Sequence, residues 1–322
     1  MTDAVGTDLR PLAELRVQAD HGDLQARLDL GLRLLSGEGS PDEGAAQIVS
    51  AFEDGLAEAG AAMATVEAMG AGRPQDWTKA VDWLRRAASA GCGGAQAQLE
   101  ALDAGAGPLD VAALTAAPPK RPVSERPRIR ILEGFASPAE CDWLIELAKD
   151  RLNPAWVWDP ATGEGRPDPN RTNRALDLRL GRMDVVVQVV RARIAAATNL
   201  PLPVFEPAQI MRYGVGEEFR PHHDFLDPAH AGHRPQLARF GQRIATFLIY
   251  LNDDFEGGET IFPKTGFRYR GRRGDALLFA NVDAATGAPD PLTLHAGLPP
   301  TRGEKWIFSQ WIRDRSPGPA AA

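Results

Sequence analysis

The sequence predicts an α+β protein of two domains. An all-α helical repeat array comes first, and a β-rich domain compatible with a jelly-roll barrel follows. Three observations carry this. Residues 10–103 are rich in Ala, Leu, Glu and Arg with few β-branched residues, which favours helix. From about residue 200 the chain turns into short apolar runs separated by Gly and Pro, which favours strands. Charge divides the same way: residues 1–105 hold 8 Lys+Arg against 17 Asp+Glu, and the remainder holds 28 against 26.

The 322 residues and the 43% hydrophobic fraction suffice for packed cores, and the net charge of −7 argues against a dedicated nucleic-acid binder. No apolar run is long enough to span a bilayer, and Met1-Thr2-Asp3-Ala4-Val5 does not open a secretory signal. Cys92 and Cys141 read as two buried thiols in a reducing cytoplasm.

In the front half, Gly22, Gly60 and Gly91 are each followed four residues later by Ala26, Ala64 and Ala95, at periods of 38 and 31 residues. Small residues there allow close helix approach, and each glycine is expected to end the preceding helix. The clearest unit is Trp77-Thr78-Lys79-Ala80-Val81-Asp82-Trp83-Leu84-Arg85-Arg86-Ala87-Ala88. It resembles tetratricopeptide-like repeats of the Sel-one-like kind, in two to three units with a degenerate middle one. That resemblance implies a groove for other proteins; a bundle that only buttresses the second domain is the alternative. Residues 106–126, with Pro118-Pro119-Lys120-Arg121-Pro122, read as a linker without regular structure.

The second domain is expected over 127–316, with 317–322 as a disordered tail. Arg128-Ile129-Arg130-Ile131-Leu132 alternates like a strand, and Ser137-Pro138-Ala139-Glu140 caps a helix running through Ala148. Residues 159–172 read as a long loop and Asp184 to Thr198 as a helix. Phe247–Leu251 and Ala276–Phe279 read as strands, and Leu292–Leu298 with Lys305–Ile312 as a hairpin turning at Pro299–Gly303.

The chemistry is concentrated around Arg220-Pro221-His222-His223-Asp224-Phe225. On an extended strand His222 and Asp224 share a face while His223 points away. One imidazole and one carboxylate are two members of a facial triad, which leaves three iron positions open. The third is expected to be His295, in Leu294-His295-Ala296-Gly297. Ten residues later, Lys305 shares a strand face with Ile307, Ser309 and Trp311. A lysine facing into a barrel needs an anion, a dicarboxylate for example, to which Tyr213 and Tyr250 could donate hydroxyls. His223, His230 and His233 are weighed as ordinary loop or surface residues rather than a second, zinc-like site.

These motifs resemble the prolyl 4-hydroxylase branch of the iron(II)/2-oxoglutarate dioxygenases over about residues 127–314. The resemblance rests on Tyr213-Gly214 through Asp224, Tyr250-Leu251-Asn252-Asp253, Gly257-Gly258-Glu259-Thr260-Ile261-Phe262-Pro263, Gly274-Asp275-Ala276-Leu277-Leu278-Phe279, Leu294-His295-Ala296-Gly297 and Gly303-Glu304-Lys305-Trp306. It implies a double-stranded β-helix in which His222, Asp224 and His295 bind Fe(II). Lys305 would bind the distal carboxylate of the cosubstrate 2-oxoglutarate, helped by Tyr213 and by Tyr250. Oxygen is the second cosubstrate and ascorbate a supporting reductant. The resemblance also places Arg171 near the substrate. Asp224 fills the position that a halogenase of this superfamily leaves for halide, so hydroxylation is expected, with succinate and carbon dioxide as coproducts. The expected substrate is a prolyl residue of a protein or peptide, recruited by the repeats, in the cytoplasm. A free amino acid or other small molecule is the second reading, and an interaction scaffold or sensor with an oxygenase fold is the third.

Overall fold

The computed structural model describes residues 10–103, 107, 109–159, 164–167 and 170–316, with backbone alone at 156–159 and 164–167. The expected tail at 317–322 and part of the 159–172 loop lie outside the described residues.

Among the described residues the front helices form three pairs: Leu12–Asp20 with Leu24–Arg33, Pro41–Glu53 with Ala57–Met69, and Trp77–Ser89 with Gly93–Ala101. Within each pair the two helices pack on each other. Caps mark the starts: the Asp23 carboxylate accepts from Ala26 N, Ser40 from Glu43 N and Asp76 from Lys79 N. The glycine reading holds at Gly22 and Gly91, whose φ values of 92° and 96° end the first helix of their pair. It fails at Gly60, which lies inside the helix Ala57–Met69. The true equivalent is Gly55 at φ 110°. Gly22, Gly55 and Gly91 are 33 and 36 residues apart, and the residues four later, Ala26, Ala59 and Ala95, are all fully buried. The three turns also share a closing hydrogen bond, from Asp23 N to Gln18 O, Leu56 N to Ala51 O and Cys92 N to Ala87 O. Gly60 does other work: a Cβ there would meet the Phe52 ring at 2.7 Å. Phe52 in turn sits edge-on to Trp83, with centroids 5.3 Å apart.

The segment read as a linker is partly regular. Val111–Thr115 is helical, and Arg121–Glu125 is an edge strand paired with Arg128–Leu132. Pro122 is tolerated because an edge strand can spare a donor. The 159–172 loop is also more regular than its composition suggests, since Trp156–Asp159 pairs with Glu164–Pro167. The chain divides into two compact units, and Arg179–Ala192 belongs with the front helices rather than with the strands. Inside that unit the Gln98 side chain accepts from Val185 N at 3.0 Å, capping the helix Val185–Thr198.

Among the described residues most strands form a large and a small sheet, besides two two-stranded pairs, Trp156–Asp159 with Glu164–Pro167 and Glu256–Gly257 with Pro300–Arg302. The large sheet runs Arg121–Glu125, Arg128–Leu132, Ala276–Ala280, Arg243–Tyr250, Lys305–Arg313, Ala208–Tyr213, Arg174–Leu178 and Asn153–Pro154. The small one runs Phe267–Tyr269, Thr260–Phe262, His295–Gly297 and Phe219–His222. The chain crosses repeatedly between the two sheets, as a jelly roll requires. Phe262 and His295 from the small sheet lie against Phe279 of the large one, at 5.1 and 4.7 Å between centroids. The core between the sheets includes Ile129, Met211, Tyr250, Phe262 and Phe279. Each such fully buried side chain contributes about 1.5–3 kcal/mol.

The expected hairpin of His295 with Lys305 does not form. His295–Gly297 pairs with Phe219–His222 and Thr260–Phe262 in the small sheet, and Lys305–Arg313 lies in the large sheet. Pro291–Thr293 is a 3-10 turn rather than strand. The helix Pro138–Ala148 starts with a full capping box between Ser137 and Glu140, as its sequence predicts.

Candidate metal centre

Three ligand-type side chains converge where the small sheet faces the large one. His222 and His295 are direct partners across the antiparallel ladder, so their rings project side by side, with centroids 4.3 Å apart. The strand carrying His222 ends there, and Asp224 follows in a bend. The bend still brings the carboxylate to both rings: Asp224 Oδ1 is 3.5 Å from His222 Nε2, and Oδ2 is 3.5 Å from His295 Nε2. One ligand atom from each of the three lies within 4.8 Å of the others. His223 is left out; its Nε2 is 3.2 Å from the Pro291 carbonyl. The His230 and His233 rings lie 4.6 Å apart between centroids, tilted by 36°, at a separate 3-10 turn and recruit no third ligand among the described residues.

The surroundings prepare these atoms to bind a cation. His222 Nδ1 lies 2.8 Å from the Arg220 carbonyl and His295 Nδ1 lies 2.9 Å from that of Thr293. A carbonyl accepts only, so each ring donates through Nδ1–H and keeps the Nε2 lone pair for a metal. Phe219 stacks on His222 at 3.5 Å and 13°, holding its plane. Burial, followed by the neighbouring His222, pushes the His295 pKa down to about 4, so the ring is neutral at pH 7. Burial pushes the Asp224 carboxyl up, but His295 and His222 outweigh it and hold the group well below the usual carboxylate range. Two imidazoles and an ionised carboxylate are the donor set that suits iron(II).

Lys305 looks into the same cavity from the large sheet, opposite Tyr213 in register. It is 2% exposed, and no carboxylate lies within ion-pair distance of it among the described residues. Burial therefore lowers its pKa to about 7, with Glu259 opposing. Its Nζ sits 5.0 Å from the Tyr213 ring centroid and 5.6 Å from that of Tyr250. Ile307, Ser309 and Trp311 line the cavity with it, on the face the alternation predicts. Tyr213 also lines it, its hydroxyl making a 3.8 Å contact to Met211 S. Tyr250 stands behind the wall: its hydroxyl is engaged by Thr260 Oγ1 at 2.8 Å and by the Tyr269 carbonyl at 3.1 Å. Arg171 is also behind the lining. It is 5% exposed, donates to Gln209 and Asn173, and places its guanidinium 4.9 Å over the Phe219 ring.

Sequence reasoning missed Thr246, whose hydroxyl donates to Asp224 at 2.6 Å, and Asn281 behind it. The available signal was a polar residue within the apolar strand Arg243–Tyr250.

Facing sheets with a two-His-one-carboxylate triad at one end and a buried lysine in the same cavity define a jelly-roll oxygenase. Residues 208–313 match the model of the 2OG-Fe(II) oxygenase superfamily. Prolyl 4-hydroxylase 1 of Arabidopsis thaliana is 35% identical over 208 residues, covering 60% of this chain and 71% of that protein. The chain belongs to the prolyl 4-hydroxylase family, whose members are dioxygenases that use iron(II), 2-oxoglutarate and oxygen. Among solved structures, the viral collagen prolyl hydroxylase of Paramecium bursaria Chlorella virus-1, in its 2-oxoglutarate complex, is 29% identical. That match covers 57% of this chain and 94% of that one at a TM-score of 0.44. A Sel1 repeat protein from Oxalobacter formigenes is 37% identical, covering 28% of this chain and 71% of that one at a TM-score of 0.25. No described helix is long and apolar enough to cross a membrane.

Proposed function

We propose that this protein hydroxylates a C–H bond of a prolyl residue in a protein or peptide, with succinate and carbon dioxide as coproducts. The observation that carries the reading is one cavity holding both the triad and a buried lysine without an anionic partner among the described residues. Family membership adds the prolyl substrate class.

In this reading His222, Asp224 and His295 hold iron(II), which with 2-oxoglutarate and oxygen supplies the oxidising chemistry. Lys305 pairs with the distal carboxylate of 2-oxoglutarate, which restores the charge balance that burial of the ammonium lacks. Tyr213 closes the same end of the cavity. Tyr250 orients Thr260, which itself lines the cavity. Arg171 acts on the substrate side by holding Phe219 in place. Met211, Leu248 and Ile307 exclude water from the cavity wall. The three helix pairs are the element we assign to substrate recruitment. The two free, buried thiols of Cys92 and Cys141 fit a cytoplasmic setting.

Succinate release from 2-oxoglutarate with iron(II), with and without proline-containing peptides, tests the reading. Mass spectrometry of the peptides follows the gain of one oxygen. Turnover should require His222, so that His222→Ala loses at least about 100-fold, and it should rise with particular peptides. Turnover that needs His222 and ignores every peptide would move the substrate to a small molecule.

A further inference from the structure

Asp224 is held by Thr246, which lines the cavity with it, and by Asn281 behind Thr246. Thr246 donates its hydroxyl to Asp224 Oδ2 at 2.6 Å, and Asn281 Nδ2 approaches Thr246 Oγ1 at 2.9 Å. A hydroxyl has one proton. The ionised carboxylate takes it, so Thr246 can only accept from Asn281. The chain of donors therefore runs one way, from Asn281 through Thr246 to Asp224.

The cost shows at the far end. Asn281 is 0% exposed, and its Oδ1 has no hydrogen-bond partner among the described residues. Turning the amide over would set that oxygen against another whose proton is already committed. Buried acceptors are normally paired, so an orphaned one marks a side chain kept in place for another contact. Both ends of its backbone are anchored too: Asn281 N donates to Ile244 O at 2.8 Å, and Asp290 N donates to Asn281 O at 3.0 Å.

The two oxygens of Asp224 are thereby made unequal. Each oxygen lies 3.5 Å from one ring, Oδ1 from His222 Nε2 and Oδ2 from His295 Nε2, but Oδ2 also takes the Thr246 hydroxyl. We propose that Thr246 and Asn281 are positioning residues that commit Oδ2 to the protein and offer a metal Oδ1 alone. A carboxylate free to turn can ligate through both oxygens. That would consume one of the three positions a facial triad leaves open, two of which a chelating keto acid needs and the third oxygen. Loss of the Thr246 hydroxyl should thus weaken keto-acid binding while sparing metal binding. The inference rests on the iron-holding role assigned to His222, Asp224 and His295.

Thr246→Val keeps the branched shape and removes the hydroxyl; Thr246→Ser restores it. Two affinities are measured without oxygen on the full chain. Iron(II) is titrated against a competing chelator, and 2-oxoglutarate is followed on the iron-loaded protein by its visible charge-transfer absorption. The valine variant should bind iron(II) within about threefold of the wild type or more tightly, and 2-oxoglutarate about tenfold or more weakly, with serine restoring it. Asn281→Ala should shift in the same direction, and it keeps the question answerable should the valine variant not fold. Unchanged 2-oxoglutarate affinity in folded variants would overturn the proposal. So would a parallel fall of both affinities, which is the mark of lost packing. A wild type that binds no iron(II) would be seen before any variant is made, and would remove the metal reading and this inference together.

Discussion

In the proposed function Lys305 couples binding to pH. Its ammonium is enclosed by Tyr213 and Tyr250, and Glu259 opposes its desolvation. The folded pKa, lowered to about 7, lies below the 10.5 of an ordinary lysine, so the free protein sheds this proton as pH rises through 7. An anion bound to Lys305 favours the charged form, so binding must take up a proton above that pH. The apparent affinity for 2-oxoglutarate should fall by about tenfold for each pH unit above 7, until the pKa of the bound form is reached. Calorimetric titrations in two buffers of different ionisation enthalpy would show the uptake. Lys305→Met should bind weakly and lose the slope; a slope that survives would assign the proton to another group. By the same linkage, the empty protein gains stability as pH rises above 7, because the uncharged lysine is the form that burial tolerates. His222, Asp224, His295 and Lys305 are all legible in sequence, because the spaced motifs that carry them resemble one family. Thr246 and Asn281 are not, since Thr246 lies 22 residues from Asp224 and Asn281 lies 35 from Thr246. Such separations carry no periodicity to read.

Helix packing in the front half depends on single glycines. Gly31 and Gly44 face each other, and a Cβ on Gly31 would lie 2.6 Å from Gly44 O while one on Gly44 would lie 2.8 Å from Gly31 O. Backbone cannot yield as a flexible side chain can, so Gly31→Ala should destabilise by roughly 1–3 kcal/mol despite its better helix propensity. Gly93→Ala is the control. Nothing lies within 4 Å of a Cβ there, and its backbone is helical. It should fall within about 0.5 kcal/mol of the wild type. Thermal or urea unfolding of both variants checks this; equal effects would mean that the close approach is not what Gly31 provides. The repeat itself is legible in the sequence, but its register is not. Glycine serves both to end a helix at positive φ, as at Gly55, and to admit a neighbour inside one, as at Gly60. A string of letters does not separate these uses.

At the scale of the molecule, the strand-rich part does not hold all of its own helices. Arg179–Ala192 belongs with the front helices, and Val185, Val186, Val187, Val189 and Val190 are at most 1% exposed. A chain beginning at Ala116 would keep every residue of the candidate metal centre but lose the Gln98 cap on Val185. It should therefore unfold at lower denaturant, and Gln98→Ala in the full chain should cost about 1 kcal/mol. Denaturant titration with retained iron(II) binding as the control would test this. A truncated chain as stable as the whole would show the helix to be self-sufficient. The proline-rich stretch before Pro127 suggests a clean separation, yet Arg121–Glu125 adds an edge strand to the large sheet.

The sequence by itself determined the helical and strand-rich halves, the three candidate metal ligands and the lysine. The halves rest on local periodicity, and the ligands and the lysine on spaced motifs that resemble one family. Tertiary structure alone decided which strands face one another. His295 and Lys305 are ten residues apart and read as neighbours in a hairpin, but they stand in opposite sheets. Pairing depends on which edges are free once the whole jelly roll closes, and a short-range pattern does not encode that. The same closure carries Thr246 to Asp224 and leaves Asn281 with an unanswered oxygen.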